Sequence, residues 1–178
     1  MKIINTKFKG LKIIQQDAFK DKRGYLRITY NQKIIKEKNF IFEYFTNSKK
    51  NSLRGFHFQY KSQQAKYVSV VKGKILDCVI DLRKKSKTFG KLFKIILSDK
   101  NNLGLFIPRG FAHAYYSYEH ENIIYYKLNN YYQPKYEDGI NSQDKDLKVK
   151  WPSKVFLISK KDKNLKSLKS FQKKYKFL

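Results

Sequence analysis

The chain has 178 residues and a formal charge of +26 at pH 7, set by 40 Lys and Arg against 14 Asp and Glu; 41% of its residues are hydrophobic, with 14 Tyr and 14 Phe. That apolar and aromatic content excludes a disordered polyelectrolyte, and the length fits a single domain, residues 1–178, with a sizeable core. Only five basic residues are Arg (Arg23, Arg27, Arg54, Arg83 and Arg109), the lysines are scattered, and no zinc-finger or Arg-rich spacing occurs, so no nucleic-acid partner is expected.

Residues 2–15 read as short strands around the Lys9-Gly10 turn. The polar turn Asp21-Lys22-Arg23-Gly24 then feeds the alternating run Tyr25–Tyr30. Asn31–Lys38 is ambiguous and compatible with a helical turn, whereas Asn39–Thr46 is strongly β-prone because aromatics and Ile fill a half-buried pleat. From Ser52 onward strand signals come at even spacing: Lys66–Val71, Ile75–Leu82, Leu92–Leu97, Gly104–Ile107, Ala112–Tyr118 and Asn122–Asn130. Many short strands with regular turns predict an all-β antiparallel jelly roll, its barrel core at about 39–134, rather than a parallel α/β sheet. After Trp151-Pro152, Leu165, Leu168, Phe171 and Tyr175 recur at helical spacing, which predicts one amphipathic helix over about 162–175 docked on the barrel.

Cys78 is the only cysteine and lies in the apolar run Ile75–Ile80, so no internal disulfide is possible and a buried, inert thiol is expected. The N-terminal segment is interrupted by Lys2, Lys7, Lys9 and Lys12, and no apolar run is long enough to span a bilayer. A cytoplasmic protein with no membrane partner is the expectation.

The stretch Ser52–Lys66 concentrates chemistry. Alternation places Leu53, Gly55, His57 and Gln59 on one face and Arg54, Phe56 and Phe58 on the other, so the His57 imidazole projects inward. An imidazole with an ordinary pKa of about 6.5 suits removal of a proton from carbon, and a nearby Lys66 ammonium suits the resulting enolate. A lone His in an aromatic strand is also commonly a hydrogen-bonded core residue. Of the other histidines, His113 stands at a strand start after Pro108 and Gly110, where it either lines a barrel mouth or braces the turn; His120, among Glu119 and Glu121, reads as solvated. The position two after His57 is Gln59, so the paired spacing of a metal-binding jelly roll is missing and no metal is expected. Tyr125 and Tyr126 point to opposite faces, which turns one phenol inward, either as packing or as a proton donor facing the His.

Read together, Asp21-x-Arg23-Gly24, Leu53-Arg54-Gly55-Phe56-His57-Phe58-Gln59, Gln64-Ala65-Lys66-Tyr67-Val68, Val79-Ile80-Asp81-Leu82-Arg83, Ser86-x-Thr88-Phe89-Gly90, Ile107-Pro108-x-Gly110-Phe111-Ala112-His113, Tyr126-Lys127, Asn130-Tyr131-Tyr132-x-Pro134 and Trp151-Pro152 resemble the dTDP-4-dehydrorhamnose 3,5-epimerase family in order and spacing, from about Asp21 to Asp162. The resemblance implies a cupin-type jelly roll, usually a homodimer, with no metal or cofactor. Its substrates are nucleotide-diphospho-4-keto sugars, inverted at C3 and/or C5 beside the ketone. It further implies His57 as base, Tyr126 as opposite-face proton donor, Lys66 as the cation at the keto oxygen and Asp162 as the carboxylate that orients His57. Arg23, Arg54, Gln59, His113 and Tyr132 match substrate-binding positions.

The chain departs from the family pattern at Leu26 and Ile28, where Phe and Glu are common, and at Phe42-Glu43-Tyr44, where Gln-x-Asn is common. Those positions serve nucleotide recognition in the dTDP enzymes, so a GDP-linked substrate such as a 4-keto heptose stays open beside a dTDP-linked one. Two other readings remain: a 3,4-ketoisomerase on the same scaffold, and a non-catalytic basic protein that binds polyanions.

Overall fold

The computed structural model describes residues 1–35 and 40–175. Its strands are β1 (Lys2–Asn5), β2 (Lys12–Gln15), β3 (Ala18–Asp21), β4 (Gly24–Arg27), β5 (Phe42–Lys49), β6 (Leu53–Gln59), β7 (Lys66–Lys72), β8 (Lys74–Asp81), β9 (Leu92–Ser98), β10 (Leu103–Ile107), β11 (Phe111–Ser117), β12 (Glu121–Leu128) and β13 (Glu137–Gly139), followed by helices α1 (Lys160–Lys163) and α2 (Leu168–Lys174).

A six-stranded sheet runs β1-β2-β10-β7-β12-β5 and a five-stranded sheet runs β13-β6-β11-β8-β9, while β3 and β4 form a separate hairpin. Every strand pair is antiparallel, as the alternation and regular turns predict for a jelly roll. Between the sheets, Val68, Val70, Ile75, Val79, Leu97, Leu105, Ile124 and Leu128 form the main core. Burying each such side chain contributes roughly 1.5–3 kcal/mol, so this layer carries much of the driving force. The outer face of the five-stranded sheet is covered by the C-terminal segment, where Leu168 and Phe171 pack with Leu53, Phe56, Phe58 and Ile80. Cys78 is buried there as a free thiol.

Three expectations need correction. The C-terminal helix expected over about 162–175 is two short helices, because Asn164 ends α1 and Ser167 starts α2 with its side chain accepting from the Ser170 N–H. Lys166 between them is drawn into a bridge with Ile140, its carbonyl accepting from Asn141 at 2.8 Å. The expected strand Asn39–Thr46 is observed as Phe42–Lys49, since pairing along the whole of β12 sets its register. Asn39, and the Lys36–Lys38 end of the ambiguous stretch, lie outside the described residues.

The third correction bears on the site. His57 pairs with His113 but Arg54 pairs with Tyr115, so β6 carries one extra residue between them. This bulge sits at Gly55, whose φ of +104° suits glycine; a Cβ there would lie 2.4 Å from the His113 carbonyl. It breaks the strict alternation, turning Leu53 outward and bringing Arg54 onto the same side as His57.

Candidate active site

A cavity of about 350 Å³ opens between the two sheets. The six-stranded sheet supplies Phe42, Tyr44 and Thr46 from β5, Lys66 from β7, and Tyr126 and Leu128 from β12. Arg54, His57, His113, Tyr115 and Glu137 come from the five-stranded sheet, and Gln64 and Tyr132 from connecting segments. Its volume falls within the usual range for small-molecule sites, and it is walled by aromatic rings with a few polar groups converging between them.

His57 Nε2 lies 2.7 Å from Asp162 Oδ1, and Asp162 Oδ2 accepts the Gly55 N–H at 3.1 Å. Asp162 is placed by α1, where its own N–H donates to the N-cap Ser159 Oγ at 3.0 Å. Burial pushes the Asp162 carboxyl up, but the hydrogen bond and charge of His57, with the Gly55 and Ser159 bonds, outweigh it and hold the group below the usual carboxylate range. An ionised carboxylate accepting from Nε2–H fixes the tautomer that leaves a lone pair on Nδ1, the form a general base needs.

Lys66 lines the same cavity as His57 but from the other sheet. Burial lowers its pKa to about 8, while Glu137 and Asp77 pull it back up. Tyr126, rather than Tyr125, is the inward phenol: it is 3% exposed, whereas the Tyr125 hydroxyl donates outward to Glu43 at 2.5 Å. Burial raises the Tyr126 pKa well above its ordinary value, with Tyr115, Tyr44 and Asp77 adding to the effect, so the phenol stays protonated at neutral pH. Against it stand Tyr44, stacked at 4.9 Å, and His113, edge-on at 6.0 Å. His113 Nε2 in turn lies 2.8 Å from Asp77 Oδ2, both groups buried.

At the rim the Tyr132 hydroxyl donates to Glu137 at 2.7 Å, and Lys161 closes on the same carboxylate. Burial raises the Glu137 pKa, but these two partners outweigh it and keep the carboxylate charged. Arg54 Nε donates to Ser48 Oγ at 3.1 Å, and Ser48 meets the Tyr115 hydroxyl at 2.9 Å, so the guanidinium is braced against the wall.

The sequence pattern of dTDP-4-dehydrorhamnose 3,5-epimerases matches residues 5–170. The chain belongs to the dTDP-4-dehydrorhamnose 3,5-epimerase family. It is 38% identical over 175 residues to the dTDP-4-dehydrorhamnose 3,5-epimerase of Methanothermobacter thermautotrophicus, covering 94% of this chain and 95% of that one. Among solved structures, the dTDP-4-dehydrorhamnose 3,5-epimerase of Elizabethkingia anophelis superposes with a TM-score of 0.88 at 35% identity, covering 96% of this chain and 97% of that one. The dTDP-6-deoxy-D-glucose-3,5-epimerase of Legionella pneumophila, solved with dTDP-4-keto-L-rhamnose, gives 0.89 at 34% identity over 94% of this chain and 93% of that one. The cupin jelly roll expected from the sequence is therefore the observed fold.

Of the residues singled out from the family motifs, His57, Lys66, Tyr126, Arg54, His113 and Tyr132 line one cavity, and Asp162 stands directly behind His57. Two do not join them. Arg23 is on the β3–β4 hairpin, where its side chain is 91% exposed and paired with Asp21, outside the cavity. Gln59 is buried and occupied: it donates to the Ser62 carbonyl at 2.8 Å and accepts the Gln133 N–H at 2.7 Å, so it tethers the segment carrying Tyr132 and does not line the cavity. Sequence reasoning missed Glu137, Lys161, Tyr115 and Asp77 and did not place Phe42 or Tyr44 in the wall. Asp77 alone carried a signal, a single carboxylate inside the apolar run Ile75–Ile80. His120 is exposed, as expected.

Proposed function

We propose that this family member inverts C3 and/or C5 of a nucleotide-diphospho-4-keto-6-deoxy sugar, with His57, Lys66 and Tyr126 as its chemical groups. The 4-keto group acidifies the neighbouring C–H bonds. His57 Nδ1 takes the proton, the C–H electron pair becomes the C=C of an enolate, and the Lys66 ammonium stabilises the charge that develops on oxygen. Such preorganised electrostatic stabilisation is commonly the largest contribution to catalysis. Tyr126 then delivers its proton to the opposite face, the carbonyl re-forms with the carbon inverted, and both side chains exchange protons with solvent.

One observation carries this reading: the imidazole and the phenol belong to different sheets and line the same cavity, so a flat sugar between them has the base on one face and the acid on the other. The Tyr126 pKa, raised chiefly by burial, supports a donor and argues against a second base. Arg54, His113, Tyr132 and the Glu137–Lys161 pair are read as substrate-binding groups at the wall and rim. The relatives are named for dTDP-linked substrates, which makes a dTDP-4-keto-6-deoxyhexose the first choice here.

Incubation with that substrate in deuterated water should place deuterium at C3 or C5 of an inverted product. Absence of label, or undiminished activity in His57→Ala, would overturn the reading. Parallel runs with the GDP-linked sugar assign the nucleotide, and NMR of the product separates inversion from carbonyl migration.

The assembly inferred is a homodimer. Phe19, Tyr25 and Leu26 on the β3–β4 hairpin are 56–63% exposed, and Phe45 on the edge strand β5 is 68% exposed. A second copy covering these apolar groups accounts for them better than solvent does. Among the described residues no helix is long and apolar enough to cross a membrane. Work on nucleotide-linked sugars favours the cytoplasm as the place of action.

A further inference from the structure

Tyr44 is a residue for which the reaction above has no use, yet it touches the group that reaction depends on most. It sits directly opposite Tyr126 in the β5–β12 ladder, and the two rings stack with centroids 4.9 Å apart and planes 23° apart. The Tyr126 ring also meets the His113 ring edge-on, 6.0 Å away and inclined 65°. These walls differ in exposure. His113 is 6% exposed and bonded to a fully buried Asp77, whereas Tyr44 is 38% exposed on an edge strand. The stack with Tyr44, set by direct pairing across the β5–β12 ladder, is therefore the restraint on the Tyr126 ring that comes from the neighbouring strand.

We propose that Tyr44 is a positioning residue for Tyr126, its ring holding the phenol against the open face of the enolate so that proton delivery ends in inversion. This rests on the assignment of Tyr126 as donor and adds what aims it. An enolate in this cavity has two fates. It regains a proton from His57, giving exchange with retained configuration, or takes one from Tyr126, giving inversion. His57 also borders an outer groove with Ser52, Leu157, Lys161 and Asp162, which gives the dyad a route for exchange with solvent. A stacked aromatic pair biases a ring orientation by about two- to tenfold, so loss of the Tyr44 ring should move the partition by that factor.

The experiment measures, at early times in deuterated water, label in unconverted substrate against label in inverted product. Tyr44→Ala should raise retained exchange relative to inversion by about two- to tenfold, while Tyr44→Phe, which keeps the ring, should stay within about twofold of wild type. A loss of folded protein lowers both products together and leaves the ratio alone, so the ratio reads positioning. An unchanged ratio in Tyr44→Ala, or an equal shift in Tyr44→Phe, overturns the proposal while leaving the epimerase reading intact. A wild-type protein that neither exchanges nor inverts overturns both.

Discussion

His57 and Asp162 lie 105 positions apart in the chain, yet their side chains meet at 2.7 Å. The contact joins a bulged strand of the five-stranded sheet to a four-residue helix that the C-terminal segment lays over it. The same carboxylate accepts the Gly55 N–H, so the bulge that turns Arg54 into the cavity and the dyad that orients His57 share one anchor. Strand irregularity, helix cap and imidazole are thereby one unit.

Asp162→Asn tests that unit at nearly constant shape. The amide keeps a partner for the Gly55 N–H, but its NH2 facing Nε2 favours the tautomer with the proton on Nδ1, the wrong nitrogen for a base. Loss of oriented general-base catalysis corresponds to about a 10²- to 10⁴-fold fall in kcat. KM should change little, because Asp162 stands behind His57 rather than in the cavity. Steady-state kinetics, with circular dichroism to check the fold, decides this; a kcat within a few-fold of wild type refutes it.

The pH dependence should be set on the alkaline side by Lys66. With a pKa lowered to about 8 by burial, it loses its charge above that pH and with it the stabilisation of the enolate. Activity should then fall about tenfold per pH unit. Stability moves the other way. Between about 8 and the ordinary 10.5 the unfolded chain binds more protons at this site than the folded one, so the contribution of Lys66 to stability rises with pH through that window. Lys66→Gln should abolish this alkaline limb and lower kcat by about 10²- to 10³-fold. A wild-type rate that holds level to pH 10 would count against the assignment.

Tyr126→Phe should separate the two half-reactions. Proton removal by His57 needs no phenol, so deuterium still enters the substrate with retained configuration. Inversion should fall about 10²- to 10⁴-fold for want of the acid on the opposite face. Equal loss of exchange and inversion would instead assign Tyr126 to binding, and chiral analysis of labelled substrate distinguishes the two.

The strands from Lys66 to Leu128 were legible in the sequence within two residues at each end, because apolar alternation and Gly or Pro breaks report directly on a half-buried pleat. Legibility failed where one residue overrides a pattern. Gly55 inserts a bulge, so the alternation that put Arg54 opposite His57 places it wrongly. Ser167 caps a new helix in the middle of a run whose apolar spacing reads as continuous. The cavity lining was legible where a motif singles out a residue, as at His57, Lys66 and Tyr126. Glu137 and Lys161 belong to separate segments that only the fold brings together, and no local spacing announces such a pair.

The β3–β4 hairpin should govern assembly. Its exposed Phe19 and Leu26 need a cover, and Leu26→Glu places a charge where apolar contact is expected. Sedimentation of the wild type should report a dimer, and the variant should shift toward monomer with its cavity intact. Arg23, on the turn of the same hairpin, makes a second readout available: if a second copy brings this turn to the cavity mouth, dissociation weakens substrate binding as well. A wild type that sediments as a monomer would remove the inference.

Gly55→Ala should be among the costliest single-methyl additions in the chain. The backbone φ of +104° lies where side chains other than glycine are strained by about 1–3 kcal/mol. The added Cβ would also approach the His113 carbonyl to 2.4 Å and the Ala114 Cα to 2.7 Å, both backbone atoms that cannot step aside without moving β11. Relief requires β6 and β11 to separate, and those strands carry His57, Arg54 and His113. Stability and kcat should therefore fall together, unlike in Asp162→Asn, where kcat falls and stability changes less. Gly24→Ala supplies the control: its φ is +137° but no atom lies within 4 Å of the added Cβ, so it bears backbone strain without the clash. Thermal unfolding of the two variants side by side gives the comparison. An equal loss in both would mean that the approach of β11 to Gly55 contributes nothing beyond the backbone angle.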